Sequence, residues 1–150
     1  MNPLIPPPVV VAIIGTLMWA VNRSLPWGSF TFEFRETAAL LLLAAGLLLM
    51  AMAVVQFIAA RTTINPLRPS RASRLITTGV FALSRNPIYL ADLLLLAAFA
   101  VWLGNAFNVA LLVLFVCYIN RYQIVPEELA LTQLFGAAYA AYCARVRRWL

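Results

Sequence analysis

From Thr37 to Ala60 the chain runs for more than twenty residues without a charge, and Gln56 is the one strongly polar side chain in that run. A stretch of this length and apolarity reaches across a bilayer with some tilt. Three further apolar runs approach the same size: about Pro8 to Leu25, Pro87 to about Leu103, and about Phe107 to Ile124. The chain is 150 residues long and 64% hydrophobic, with mean hydropathy +0.91. That is more apolar surface than a soluble domain of this length buries in one core. The expected fold is all-α: an integral membrane helical bundle of four transmembrane helices followed by a C-terminal amphipathic helix. The four runs argue for a helix bundle rather than a barrel, whose strands would be short and alternating. Length argues for a single domain over residues 1–150. Residues 1–60 supply two generic spans, and residues 61–150 supply a polar loop, a helical hairpin and the last helix.

Charge removes several function classes. The net charge of +6 comes from arginine alone, because the chain holds no lysine and no histidine. Without histidine there is no imidazole base and no histidine-rich metal site, and Cys117 and Cys143 cannot build a zinc site by themselves. No metal and no disulfide are expected. Nucleic-acid binding is not expected either, since no folded soluble module remains to present the arginines. The N-terminal MNPLIPPPVV lacks a basic n-region and a small-residue cleavage site, so the first apolar run is read as retained.

Arginine placement sets the expected topology. With both termini cytoplasmic, the inner side receives Arg61, Arg68, Arg71, Arg74, Arg85, Arg121, Arg145, Arg147 and Arg148, and the outer side receives Arg23 and Arg35. The positive-inside rule supports four spans in this orientation. Arg68, Arg71, Arg74, Arg85, Arg145, Arg147 and Arg148 are expected to set topology and touch anionic lipid headgroups. Trp27, Phe30, Phe32 and Phe34, in the connector from Pro26 to Glu36, suit the membrane–water interface.

Polar residues at the inner ends of the helices are the candidates for chemistry. Asn86-Pro87 reads as a helix start, with asparagine in the capping position and proline in the first turn. Two roles stand for Asn86: a cap alone, or part of an anion-receptive helix end that also holds Tyr89. Pro126 is expected to restart a helix with Glu127 and Glu128 in its first turn. There they either compensate the helix dipole or face a cationic or hydroxyl-bearing ligand. Asp92 lies about one and a half turns inside the third span, where an ionisable group is expensive unless paired or wet. It shares a face with Tyr89, and its role is either an ion pair with Arg121 or acceptor binding. Leu131, Phe135, Tyr139, Tyr142 and Val146 recur at helical spacing and predict an amphipathic helix lying on the membrane surface or on the basic loop.

The string LITTGVFALSRNPIYL, then a hairpin, then EELALTQLFGAAYAAYCARVRRWL, resembles the C-terminal half of the isoprenylcysteine carboxyl methyltransferase family and its bacterial relatives. The phospholipid N-methyltransferases share the same broad outline. The resemblance covers roughly Arg61 to Leu150. It implies S-adenosyl-L-methionine as methyl donor, bound at the cytoplasmic membrane surface without a soluble Rossmann fold. Residue by residue, Ser73, Arg74, Leu75 and Ile76 match the stretch that binds the cofactor ahead of the glycine, and Phe81 matches an aromatic position there. Asn86, Pro87, Ile88 and Tyr89 match the tetrapeptide that wraps the donor, and Glu127 matches the acid that contacts it. Two departures point away from prenylcysteine as acceptor. Asn86 stands where those enzymes carry histidine, and Gln123 stands near their substrate-binding arginine, with Arg121 two positions earlier as the alternative.

The expected activity is methyl transfer to a lipid-like or amphiphilic acceptor entering from the bilayer of a bacterial cytoplasmic membrane. Direct displacement from a sulfonium asks the protein to hold the reactants in line and exclude water. A carboxylate acceptor calls for an arginine such as Arg121; an amine calls for Asp92 or a glutamate to take a proton. The alternatives are a non-catalytic four-helix membrane scaffold or subunit, and, with less support, a transporter.

Overall fold

The computed structural model describes residues 5–60 and 74–150. Ser73, Arg61, Arg68, Arg71 and the prolines of the basic loop lie outside the described residues. The described residues form five α-helices: α1 (Pro7–Ser24), α2 (Arg35–Ala59), α3 (Pro87–Leu103), α4 (Asn108–Ile119) and α5 (Val125–Arg145). Among the described residues there is no strand beyond an isolated bridge between Ser29 and Asn105. Among the described residues two helical rods are long and apolar enough to cross a membrane: Arg35–Ala59, mean hydropathy 2.7, and Asn108–Arg145, mean hydropathy 1.6. Pro87–Leu103 is apolar but shorter.

α1 opens on Pro7, whose fixed φ suits a first helical turn, and buries Pro7, Val10, Ile14 and Met18 on one stripe. That stripe meets Leu96 and Ala100 of α3 and Phe115 and Ile119 of α4 in the main core. α2 buries only Ala39, Gly46 and Ala53, spaced seven apart. Small residues on that line let it lie close against α3. A Cβ at Gly46 would come within 2.9 Å of Leu95 and 3.3 Å of the Ala91 carbonyl. Its remaining surface, including Leu40, Leu41, Leu48, Val55 and Ile58, faces outward. α3 is therefore the centre of the bundle, with α2 on one side and α1 and α4 on the other.

The end of the bundle holding the α1–α2 and α3–α4 connections is pinned by polar backbone contacts. Gly104 takes the left-handed conformation (φ 64°) that ends α3, and its N–H returns to Ala100 and Val101. The GNAFN turn expected here is present. Asn105 accepts from the Phe107 N–H at 3.1 Å and donates to the Leu25 carbonyl at 2.8 Å, tying the two connectors together. Trp27 packs edge-on against Phe107, with ring centroids 4.6 Å apart. Phe30, Phe32 and Phe34 stay exposed, as interfacial rings would be.

The helix beginning at Pro126 does not restart. It continues α4 through a single π-helical segment, Asn120–Ile124. Proline clashes with the carbonyl four residues back and lacks an N–H, so a widened turn ahead of Pro126 carries the rod past it. The rod then kinks at Gly136, whose φ of 49° and ψ of −120° are non-helical. Beyond the kink Tyr139, Tyr142 and Val146 bury themselves with Leu131, Phe135 and Leu75. The amphipathic stripe thus packs, through Leu75, on the end of the basic loop.

Candidate functional site

At the other end of the bundle a cavity of about 270 Å³ opens between the start of α1, the end of α2, the start of α3 and the first turn of α5. Its apolar walls are Pro7 and Pro8 of α1, Met50, Val54 and Phe57 of α2, and Phe81 and Ile88. Its polar groups are Arg85, Asn86, Tyr89, Asp92 and Glu127.

Local structure explains how each is aimed. A 3-10 turn, Gly79–Ala82, drops Phe81 into the bundle, where it meets Phe57 edge-on at 5.2 Å. Gly79 sits at φ 59°, a left-handed value that favours glycine. Gln56, the polar residue in the otherwise apolar α2, serves this turn. With its amide oriented to satisfy both groups, it donates to the Thr78 carbonyl at 3.1 Å and accepts from the Val80 N–H at 3.2 Å. The Tyr142 hydroxyl donates to the Phe81 carbonyl at 2.6 Å and fixes the turn from the α5 side.

Asn86 occupies the capping position of α3, but its side chain does not cap the helix. Its Nδ2 donates to the Arg148 carbonyl at 2.9 Å, and the Arg85 N–H donates to the Arg147 carbonyl at 3.0 Å. The segment after α5 therefore runs as a strap over the start of α3. Trp149 adds a bond from its indole to Asn120 Oδ1 at 3.2 Å, on the π segment.

The acidic pair divides its work. Glu128 turns to the strap: Arg148 grips it at 2.6 and 3.0 Å, and Arg85 approaches it at 3.3 Å. Glu127 turns to the cavity and accepts from the Tyr89 hydroxyl at 2.6 Å. Burial pushes the Glu127 carboxyl up to about 7, opposed by the Tyr89 hydrogen bond and helped by the neighbouring Glu128 charge. One helical face brings Tyr89 and Asp92 to the same cavity.

Phe81, Asn86, Pro87, Ile88, Tyr89, Asp92 and Glu127 thus converge on one cavity from segments forty residues apart. The other expected residues lie elsewhere. Leu75 joins the Tyr139–Tyr142 cluster, Ile76 packs beside Ala53 and Val80, and Arg74 is exposed. Arg121 is exposed and does not line the cavity, and among the described residues no ion pair joins it to Asp92. The structural pair considered for Asp92 is therefore not formed. Gln123 is buried, but it donates to the Ile5 carbonyl at 2.7 Å and so ties the lead-in of α1 to the bundle.

Several wall residues escape a sequence reading. Pro7, Pro8, Met50, Val54 and Phe57 belong to the two spans that look generic, and Arg85 looks like one more topology arginine. For Phe57 alone the run held a signal, an aromatic ring near the charged end of an apolar helix.

The family model for phospholipid methyltransferases matches residues 34–138, well over half of the chain. The chain belongs to the phospholipid methyltransferase family. Membership places it among membrane methyltransferases that act on lipid-like substrates, the broad group expected from the motifs at Arg85–Tyr89 and Glu127–Tyr139. The first motif falls inside the matched region, as do α2 and α3, and the second does so up to residue 138. An uncharacterized protein of Haemophilus influenzae is 43% identical over 63 residues, which cover 42% of this chain and the whole of that protein. No solved structure matches the chain.

Proposed function

We propose that this family member transfers a methyl group from S-adenosyl-L-methionine to the amine of a lipid-like amphiphile. The observation that carries this reading is the pairing of Tyr89 with Glu127 at 2.6 Å on the wall of a cavity that also holds Asp92.

The donor set suits the cofactor. Glu127 offers a carboxylate to ribose hydroxyls or to a cationic group, Tyr89 holds that carboxylate in place, and Phe81 with Phe57 gives an apolar aromatic wall. Asn86, Pro87 and Ile88 complete the lining at the start of α3. When bound, the cofactor supplies a methyl group on a sulfonium, ready for direct displacement. The chain's own task is positioning and the exclusion of water.

Charge selects the acceptor. Two carboxylates, Asp92 and Glu127, line the cavity, whereas Arg121 lies outside it and Arg85 is engaged by Glu128. A carboxylate acceptor would meet repulsion; an ammonium would be drawn in. Asp92, deeper along α3 than Tyr89, takes the proton that an ammonium must lose before its nitrogen can attack. Apolar walls from Pro7, Pro8, Met50 and Val54 support an entrance between α1 and α2, which pack on α3 from different sides. An acceptor tail enters there laterally from lipid.

The fuller topology belongs to the same proposal: four crossings of a bacterial cytoplasmic membrane with both termini inside. Arg74, Arg85, Arg121, Arg145, Arg147 and Arg148 lie toward the cavity end, and Arg23 and Arg35 toward the other. Calorimetric titration of the detergent-purified protein with S-adenosyl-L-methionine and S-adenosylhomocysteine tests the donor site. Saturable binding, lost in Glu127→Ala, is expected. Absence of binding by folded protein overturns the proposal.

A further inference from the structure

A second concavity lies at the far end of the bundle, away from the cavity described above. It is a groove of about 430 Å³ between α2 and α3, lined by Glu36, Ala39, Leu40, Leu43, Leu95, Ala98, Phe99 and Trp102. The two helices are antiparallel, and each contributes one face: positions 36, 39, 40 and 43 from α2, and 95, 98, 99 and 102 from α3. Ala39 and Ala98 are both buried and small, so the helices leave a trough above them. Seven residues of helix make the trough about 10 Å long.

Its two ends differ. Leu43 and Leu95 close the end toward the middle of the bundle. At the other end stand a carboxylate, Glu36, and an indole, Trp102, which is 59% exposed and stacked on Phe99 at 5.9 Å. Among the described residues Glu36 has no ion-pair partner. The adjacent Arg35 is turned away, its Nη1 donating to the Phe30 carbonyl beside Gly104. In a chain of net charge +6, this groove is therefore acidic at its mouth and apolar along its length.

We propose that the groove holds one acyl chain of a bilayer phospholipid whose quaternary ammonium headgroup rests on Glu36 and Trp102. A carboxylate beside an exposed indole recognises such a group by Coulomb attraction and by the negative face of the ring. The apolar trough takes the chain that follows. An anionic headgroup of the same chain length gains neither contact and is repelled by Glu36. The groove shares no lining residue with the methyl-transfer cavity.

Native mass spectrometry of the full-length protein, released from micelles doped with phosphatidylcholine or phosphatidylglycerol of identical chains, tests the proposal. The wild-type protein should retain phosphatidylcholine over phosphatidylglycerol by about fivefold. Glu36→Gln should bring the two to parity, and Leu43→Trp, which fills the trough from a partly exposed position, should reduce retention of both. Both substitutions lie at exposed positions, so an unchanged thermal midpoint will show that the fold is intact. Equal retention by the wild-type protein overturns the proposal. So does a preference that survives Glu36→Gln but disappears in Asp92→Asn, which would assign the lipid to the methyl-transfer cavity.

Discussion

The Tyr89 hydroxyl donates to Glu127 Oε1 at 2.6 Å, joining the first turn of α3 to the first turn of α5 across thirty-eight residues of sequence. Neither group needs the other for its own helix. The bond exists because the π segment ahead of Pro126 rotates α5 so that Glu127 faces the cavity and Glu128 faces the strap. Tyr89→Phe removes the donor and leaves the ring. Affinity for S-adenosyl-L-methionine should fall by about tenfold, the worth of one hydrogen bond to a charged group. Calorimetry at neutral pH checks this, and unchanged affinity would show that Glu127 needs no positioning partner.

The same carboxylate predicts a pH dependence. Burial raises the Glu127 carboxyl to about 7, so it is ionised above that pH and neutral below it. A cationic, hydroxyl-bearing ligand favours the ionised form. Donor affinity should therefore be level above about pH 8 and should fall toward tenfold per unit as pH drops below about 7. In Glu127→Gln affinity is lower and the slope should vanish. A slope that persists in the variant would place the titrating group elsewhere.

Asp92 and Arg121 separate binding from transfer. Asp92→Asn should leave donor affinity within a factor of two and lower the methyl-transfer rate by about a hundredfold, the usual worth of a positioned base. Arg121→Ala should change neither, since that side chain is exposed and outside the cavity. Single-turnover assays with an amphiphilic amine and the matching carboxylate, read for methylated product, test both statements and the choice of acceptor together.

Gly79 and Gly15 make a contrasting pair for stability. At Gly79, φ is 59° and an added Cβ would collide with the Gln56 side chain that supports the turn. Gly79→Ala should cost about 1–2 kcal/mol for the left-handed backbone, and more once Gln56 is displaced. Gly15, mid-helix in α1, has nothing within 4 Å of an added Cβ. Gly15→Ala should stabilise by about 0.5–1 kcal/mol through helix propensity. Thermal midpoints in one detergent, compared in opposite directions, provide the check.

Glu128 is the anchor of the strap, with Arg148 at 2.6 Å and Arg85 at 3.3 Å. Glu128→Ala leaves two arginines facing one another without their shared carboxylate. We expect a loss of about 1–2 kcal/mol in thermal stability, lessened because Arg148 is partly exposed and water-screened. Glu128→Gln, which keeps one acceptor oxygen for Arg148 but loses the second and the charge, should recover part of it.

Several elements were legible because they depend on local composition. The uncharged run at Thr37–Ala60, the proline at the start of α3, the GNAFN turn and the stripe from Leu131 to Val146 each announce a helix, a boundary or a face through neighbours in the chain. The motifs at Arg85–Tyr89 and Glu127–Glu128 likewise stood out as polar groups at helix ends, and the resemblance named their family. The sequence also fixed the sign of the charge and the absence of histidine, which closed off imidazole chemistry.

Only the tertiary structure decided which polar residues meet. Whether Asn86 caps its helix or binds the strap, whether Asp92 pairs with Arg121, and which of two adjacent glutamates faces the ligand all depend on the rotation of one helix against another. A one-residue widening at Asn120–Ile124 sets that rotation for α5. The walls given by Pro7, Pro8, Met50, Val54 and Phe57 arise in the same way, from two apolar spans packed around α3. Hydrophobic burial is non-directional: it dictates that such helices associate, while the fit of small residues such as Gly46 and Ala53 against α3 dictates where.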